Sequence, residues 1–405
     1  MCSYVHRMLF FGEVIGLAQT GSFLQLKTAE PKIFMIWRWL FNLSMTAVFA
    51  TLLLNWSKLL LHLRLGADNS IFQNGWLVLL AMTFLLLLTA VVHELGHLLA
   101  GYLVQFQFQM LIIGPLRLSR ENGRLQMQLQ RSGTFFDGLA ASLPVEGDRD
   151  NLGHRLLYFA LGGPLASLAL ALVALLVVLL LGNNLAQMLD YLWVWECCLF
   201  LTIISYFFLL TSLRPGAYQN GLMADGGRIM MVLRNTPEAQ RWQALVLLNV
   251  ADLAGKRPSE WDEQLVKQAY THPDNSYDYL TAIVMNYHYW LDKKRPQEAA
   301  AYLEEALNLP IAWAIGMRAR LALEKAYLMA AHFQDASVAQ EWFQQVKQNR
   351  RETNLLFWRA KAALHALKGE EALAKTAVSM GLVTANKNKS GMQKAEVDWL
   401  KNCAV

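Results

Sequence analysis

The chain has 405 residues, of which 55% are apolar and 17% charged, and a net charge of +5. Soluble globular domains hold about 45–50% apolar and about 25% charged residues, so this composition excludes a simple soluble enzyme, a disordered chain and a fibrous repeat. The charge is also uneven: residues 235–405 carry 21 of the 36 Lys and Arg and 19 of the 31 Asp and Glu. The first 234 residues are therefore strongly apolar. The remainder has the character of a soluble domain, nearly neutral and without the basic stripe of a nucleic-acid-binding surface, so no nucleic-acid partner is expected.

In chain order, residues 1–35 read as an N-terminal cytoplasmic segment; Glu13 interrupts its only apolar patch, which argues against a signal peptide. Four stretches then reach the length of about 20 apolar residues that a bilayer demands: Ile36 to Trp56, Trp76 to Val104, Leu156 to Leu181 and Tyr191 to Leu213. The loop after the second carries Arg117, Arg120, Arg124, Arg131, Arg149 and Arg155, whereas the link from Gly182 to Asp190 carries no Lys or Arg. The positive-inside rule then places both termini and the Arg-rich loop in the cytoplasm, and we expect an integral protein of a bacterial cytoplasmic membrane. Within that loop, Gln105 to Met110 alternates polar and apolar residues, and Leu116 to Leu118 and Leu125 to Leu129 flank Glu121-Asn122-Gly123. Period-two alternation and an Asn-Gly turn predict a small juxtamembrane β-hairpin or sheet. Cys2, Cys197, Cys198 and Cys403 form neither a CxxC pair nor a disulfide framework.

The second span contains His93-Glu94-Leu95-Gly96-His97. On a helix, positions i and i+4 share one face, so both imidazoles can reach one zinc ion while Glu94 meets the water beside it. Ionisable residues at membrane depth cost about 2.5–3.5 kcal/mol each on insertion scales, so they need partners there. A catalytic zinc takes three protein ligands, and two His leave one missing. Asp225, in Met223-Ala224-Asp225-Gly226-Gly227-Arg228 after the breaker Pro215-Gly216, is a candidate. On the residues alone it is equally readable as a helix cap.

Taken together, HExxH in one span and Pro215 with Asp225-Gly226 beyond a later one resemble the site-2 protease family of intramembrane zinc metalloproteases. Gly162-Gly163-Pro164-Leu165-Ala166-Ser167 and Ile112-Ile113-Gly114-Pro115 are also similar to family motifs, over roughly residues 76–234. Ser212 and Ser167 stand where the family often has Asn. The resemblance implies one Zn2+ per chain on His93, His97 and Asp225, with Glu94 as general base. The implied substrate is a transmembrane protein or peptide, cut within or near its bilayer helix. Ser212 and Ser167 are candidate donors to substrate or oxyanion; Ser212 is also readable as bonding its own backbone, and Gly163, Ser167 and Ala171 as a small-xxx-small packing face. Because a helix hides its carbonyls, a substrate must unwind, and an edge of the juxtamembrane sheet bearing Gln107 is expected to receive the strand.

From residue 235 the pattern is helical, with pairs around Tyr279 to Leu309, Met317 to Val346 and Leu355 to Met380, resembling tetratricopeptide-type hairpins. The expected architecture is an all-α polytopic membrane protein of about four transmembrane helices, with the small sheet and a C-terminal α-helical domain. Its parts are a metalloprotease domain at 36–234 (core 76–234) and a soluble repeat-like domain at 235–405 that binds a protein partner. Removing the residues after Arg234 is then expected to change substrate choice more than metal content. Two alternatives remain: a prenyl-protein-processing type of protease, for which no later Glu motif stands out, and a non-proteolytic scaffold with a vestigial metal site.

Overall fold

A computed structural model describes residues 70–71, 74–121, 123–129, 138–217, 222–310, 315–346, 354–385 and 390–404. Three of the described helices are long and apolar enough to cross a membrane: α1 (Gly75–Leu103), α2 (Leu152–Gly182) and α4 (Leu192–Ser212). The expected span at Ile36 to Trp56 lies outside the described residues. Side chains such as Leu79, Leu80, Phe84, Leu172, Val173 and Leu176 lie exposed on α1 and α2, a surface suited to hydrocarbon rather than water. A short helix, α3 (Leu185–Asp190), links α2 to α4.

Small residues let these helices approach closely. A Cβ at Gly96 of α1 would overlap the Gly162 carbonyl oxygen and the Ala166 Cβ of α2, so the helices cross with backbones touching beside the HExxH residues. Pro164 lies inside α2, where it removes one helical N–H and disturbs the preceding turn. Polar ties also join the described helices. Thr89 and Ser205 pair at 3.3 Å between α1 and α4, and the Glu196 carboxylate of α4 accepts bonds from the Ser70 hydroxyl and the Ile71 amide at 2.7 and 2.9 Å.

Between α1 and α2 stand four antiparallel strands: β1 (Gln107–Ile113), β2 (Leu116–Glu121), β3 (Arg124–Leu129) and β4 (Gly138–Leu143), in the order β3-β2-β1-β4. The predicted hairpin is β2–β3, with Leu118 opposite Met127. One expectation is corrected. Gln107 lies on the inner strand β1, opposite Leu143 of β4, and among the described residues the outer strands are β3 and β4. The alternation that marks a strand is silent on its neighbours.

After α4 come α5 (Asp225–Leu233) and α6 (Pro237–Leu253). Val246 and Val250 of α6 share one buried cluster with Phe106, Leu143, Leu152 and Leu156, so the array begins in direct contact with the juxtamembrane sheet. There follow α7 (Glu263–Tyr270) and three pairs: α8 (Tyr277–Asp292) with α9 (Pro296–Asn308), α10 (Ile315–Ala331) with α11 (Ala336–Gln344), and α12 (Leu355–Leu367) with α13 (Glu371–Thr384). The pairs begin at residues 277, 315 and 355, a wider spacing than the tetratricopeptide period of about 34. The last helix, α14 (Gly391–Lys401), returns to α6: the Met392 amide donates to Asp252 at 2.6 Å and Lys394 to the Gly255 carbonyl at 2.8 Å.

A buried ion network specifies the packing of the pairs. Arg359 of α12 is fully buried between the Tyr327 and Trp399 rings, 4.4 and 5.1 Å from their centroids, and bonds to Glu324 of α10. Glu324 also accepts from the Tyr287 hydroxyl at 2.9 Å and lies 3.3 Å from His288 Nε2. Burial opposes the Glu324 charge, yet Arg359 and the His288 and Tyr287 contacts hold its carboxyl down at about 2. An unfolded glutamate titrates near about 4.3, so this stabilisation is complete above about pH 5 and is lost as the pH falls toward 2. We predict that Glu324→Gln, which strands a buried cation, lowers stability at pH 7 by about 3 kcal/mol. It should also flatten the acid-induced loss of stability between about pH 5 and pH 2. Thermal unfolding of the detergent-solubilised chain across that range checks both; an acid limb as steep as the wild type's would contradict them.

Candidate metal centre

The centre is assembled from α1, α2 and α5. His93 and His97 lie one turn apart on the buried face of α1, their rings 5.0 Å apart at an interplanar angle of 83°. Each Nδ1 is engaged by α2: His93 Nδ1 lies 2.9 Å from Ser167 Oγ, and His97 Nδ1 lies 2.8 Å from the Phe159 carbonyl oxygen. That carbonyl belongs to the turn just before Gly162-Gly163-Pro164. The Gly163 amide is turned toward the same His97 Nδ1 at 3.3 Å. The stretch of α2 around Gly162-Gly163-Pro164 thus offers its backbone to a side chain of α1.

With both Nδ1 atoms occupied, both Nε2 atoms face Asp225, the first residue of α5. Its Oδ2 is 3.2 Å from His93 Nε2 and 3.5 Å from His97 Nε2. The helix-cap position belongs to Ala224, and the Asp225 carboxylate is turned to the two imidazoles. Gly226 explains how α5 comes so near: a Cβ there would overlap the Leu213 carbonyl oxygen at the end of α4.

The donor set fits a tetrahedral metal. The 2.8 Å contact with the Phe159 carbonyl, which only accepts, needs a proton on His97 Nδ1, whereas the 3.3 Å approach of the Gly163 N–H would need a lone pair there; the shorter contact decides for the proton on Nδ1. In the neutral ring, Nε2 then points its lone pair at a carboxylate oxygen. Acceptor facing acceptor is repulsive in a site this dry, and a cation among the three atoms removes the conflict. Four ligands about 2.0–2.1 Å from a zinc ion stand roughly 3.3 Å apart, which agrees with the two His–Asp separations. The three ligand atoms all lie within 4.8 Å of one another. Gly163 closes the side facing α2: a Cβ there would overlap His97 Nε2 and stand 2.6 Å from His93 Nε2.

Glu94, next along α1, is 9% exposed and sits under the edge strand. The Ala140 backbone of β4 faces its carboxylate, and a Cβ at Gly138 would overlap Glu94 Oε1. Ser167 and Ser212, expected as donors to substrate or oxyanion, are turned elsewhere. Ser167 meets His93, and the Ser212 hydroxyl donates to the Leu209 carbonyl of its own helix at 3.1 Å. The Gly-Gly-Pro stretch stands in the sequence as a family-like motif and Gly163 as part of a packing face, and nothing there marks the Phe159 carbonyl, since backbone roles leave no residue-type signal.

Paired histidines and an adjacent glutamate on a helix able to cross a bilayer, with a third carboxylate from the short α5 brought against them, point to the class of membrane metallopeptidases. Residues 81–394 match peptidase family M50, the site-2 protease family, and the chain belongs to it. The match extends well beyond residue 234, through the helical array and into α14. No curated protein and no solved structure matches the chain.

Metal ligation predicts two graded losses. Gly163→Ala should abolish zinc binding, because its methyl enters the space between the two Nε2 atoms. Ser167→Ala should weaken zinc about tenfold by releasing the His93 ring, as loss of an outer-shell partner does elsewhere. Chelator competition on purified protein checks both; wild-type affinity in either variant would contradict this geometry.

Proposed function

We propose that this chain is a zinc-dependent intramembrane endopeptidase that cuts a membrane-anchored protein or peptide within or near its transmembrane helix. The observation that carries the reading is the placement of His93 and His97 Nε2 against Asp225 Oδ2, with Glu94 beside them on the same helix. These three residues would hold one zinc ion per chain. When bound, zinc lowers the pKa of a water toward about 7 and polarises a carbonyl.

Within this scheme Glu94 is the proton carrier. Its carboxylate takes a proton from the attacking water as oxygen adds to the scissile carbonyl, and it returns the proton to the amide nitrogen as the C–N bond breaks. Ser167 and the Phe159 carbonyl hold the two imidazoles with Nε2 inward. The apolar helices exclude bulk water, which strengthens each electrostatic contact inside.

A substrate helix must first unwind, and the outer edge of β4, where Ala140 faces Glu94, is where we place the unwound strand. Main-chain pairing there would bring the scissile carbonyl to Glu94 irrespective of side-chain sequence. We further place both termini and the Arg-rich loop in the cytoplasm of a bacterial cell, on the loop charges, and assign the helical array a protein partner.

The test is cleavage of a reporter with a helix-breaking residue in its transmembrane segment, by protein reconstituted in liposomes. Glu94→Gln should lower turnover at least a thousandfold while retaining zinc, a loss of about 4 kcal/mol in transition-state stabilisation. Ala140→Pro should lower turnover at least tenfold, again with zinc retained, by blocking the edge. Full cleavage by Glu94→Gln would remove the peptidase reading; full cleavage by Ala140→Pro would remove only the edge placement.

A further inference from the structure

The helix that delivers Asp225 is poorly anchored by its own sequence. α5 has nine residues and no side-chain cap, too short to hold its position by helix formation alone. Gly226 fixes one side of it against the end of α4. It also packs along α2, and a further tie comes from the helical array. Arg228 lies one turn beyond Asp225, and its guanidinium forms a two-pronged pair with Asp278 in the first turn of α8. Nη2 stands 2.9 Å from Oδ1, and Nη1 bonds Oδ2. The same guanidinium lies over the Trp242 ring of α6, 4.6 Å from its centroid.

Burial separates this pair from the others that join the two parts of the chain. The Arg228 and Asp278 side chains are 16% and 19% exposed, against 57% and 36% for Arg149–Asp262 and 50% and 48% for Lys256–Glu146. Exposed pairs contribute little and are screened by salt. A planar fork held by both carboxylate oxygens and stacked on an indole constrains distance and direction together.

We propose that Arg228 and Asp278 are positioning residues of the metal centre, so that the helical array sets where the Asp225 carboxylate stands. The inference rests on the zinc-peptidase reading. It also gives the array a route to act on the site: a partner that draws the start of α8 away from α5 loosens the third ligand.

The test uses the full-length protein in detergent, with two readouts: zinc affinity by chelator competition, and amide hydrogen exchange of residues 225–233. Asp278→Asn should weaken zinc about tenfold and speed exchange in α5, while α12 keeps wild-type protection. Asp278→Glu, which keeps the charge, should recover most of both. Asp262→Asn, which removes an exposed tie between the same two parts, should change neither. The proposal is overturned if Asp278→Asn matches the wild type in both readouts. It is overturned equally if Asp262→Asn produces the same losses, or if α12 loses protection together with α5. Absence of zinc from the wild type would remove the peptidase reading, and exchange in α5 would still decide the positioning claim.

Discussion

Two imidazole nitrogens and a carboxylate oxygen are held together among apolar helices, and each of the three would otherwise seek water. That constraint organises the molecule. Ionisable groups at membrane depth are costly, and here each is oriented by a specific neighbour. Ser167 and the Phe159 carbonyl turn the two rings, and the neutral rings then face a carboxylate with lone pairs. A cation bound among the three atoms, or a proton on the rings, turns this arrangement attractive, so the packing of α1, α2 and α5 is tied to what the site holds.

From this constraint the surrounding sequence acquires reasons. Gly96 and Gly162 let α1 and α2 touch, which brings Phe159 and Ser167 within reach of the histidines. Gly163 leaves room for the ligand atoms. Pro164 lies inside the unbroken α2, one residue after the Gly163 that leaves room for the ligand atoms. Gly226 brings α5 against the end of α4, and the pair Arg228–Asp278 holds it from the opposite side. The family match continues through the helical array to residue 394, in keeping with an array that packs on the juxtamembrane sheet through Val246 and Val250.

Much of this was legible in the amino-acid sequence, because the signals were periodic or chemical. Three apolar runs became α1, α2 and α4. The Asn-Gly turn marked the β2–β3 hairpin, and the Ala- and Leu-rich stretches after residue 270 marked the three helix pairs. His93, Glu94 and His97 stood out because their residue types are costly inside a span, whereas Asp225 was equally readable as a helix cap and was singled out by the family resemblance. What stayed hidden was relational. Alternation in residues 105–110 revealed a strand but not its neighbours, so Gln107 was expected on an edge and lies inside the sheet. A serine in a small-residue stripe reads as packing until its hydroxyl is seen 2.9 Å from a histidine. Arg228 and Asp278 are 50 positions apart and each unremarkable, and a contact of that kind has no local pattern. The division at residue 235 followed composition, which does not register that α6 packs on the sheet.

The central claim is that His93, His97 and Asp225 form one zinc site, and bound metal tests it without any substrate. Detergent-purified wild-type protein and Asp225→Ala should be compared by elemental analysis after dialysis against trace zinc. The account predicts about one zinc per chain in the wild type and a sharp loss in the variant. Equal zinc in both would contradict it by removing Asp225 from the ligand set, and no zinc in either would contradict the metal centre altogether.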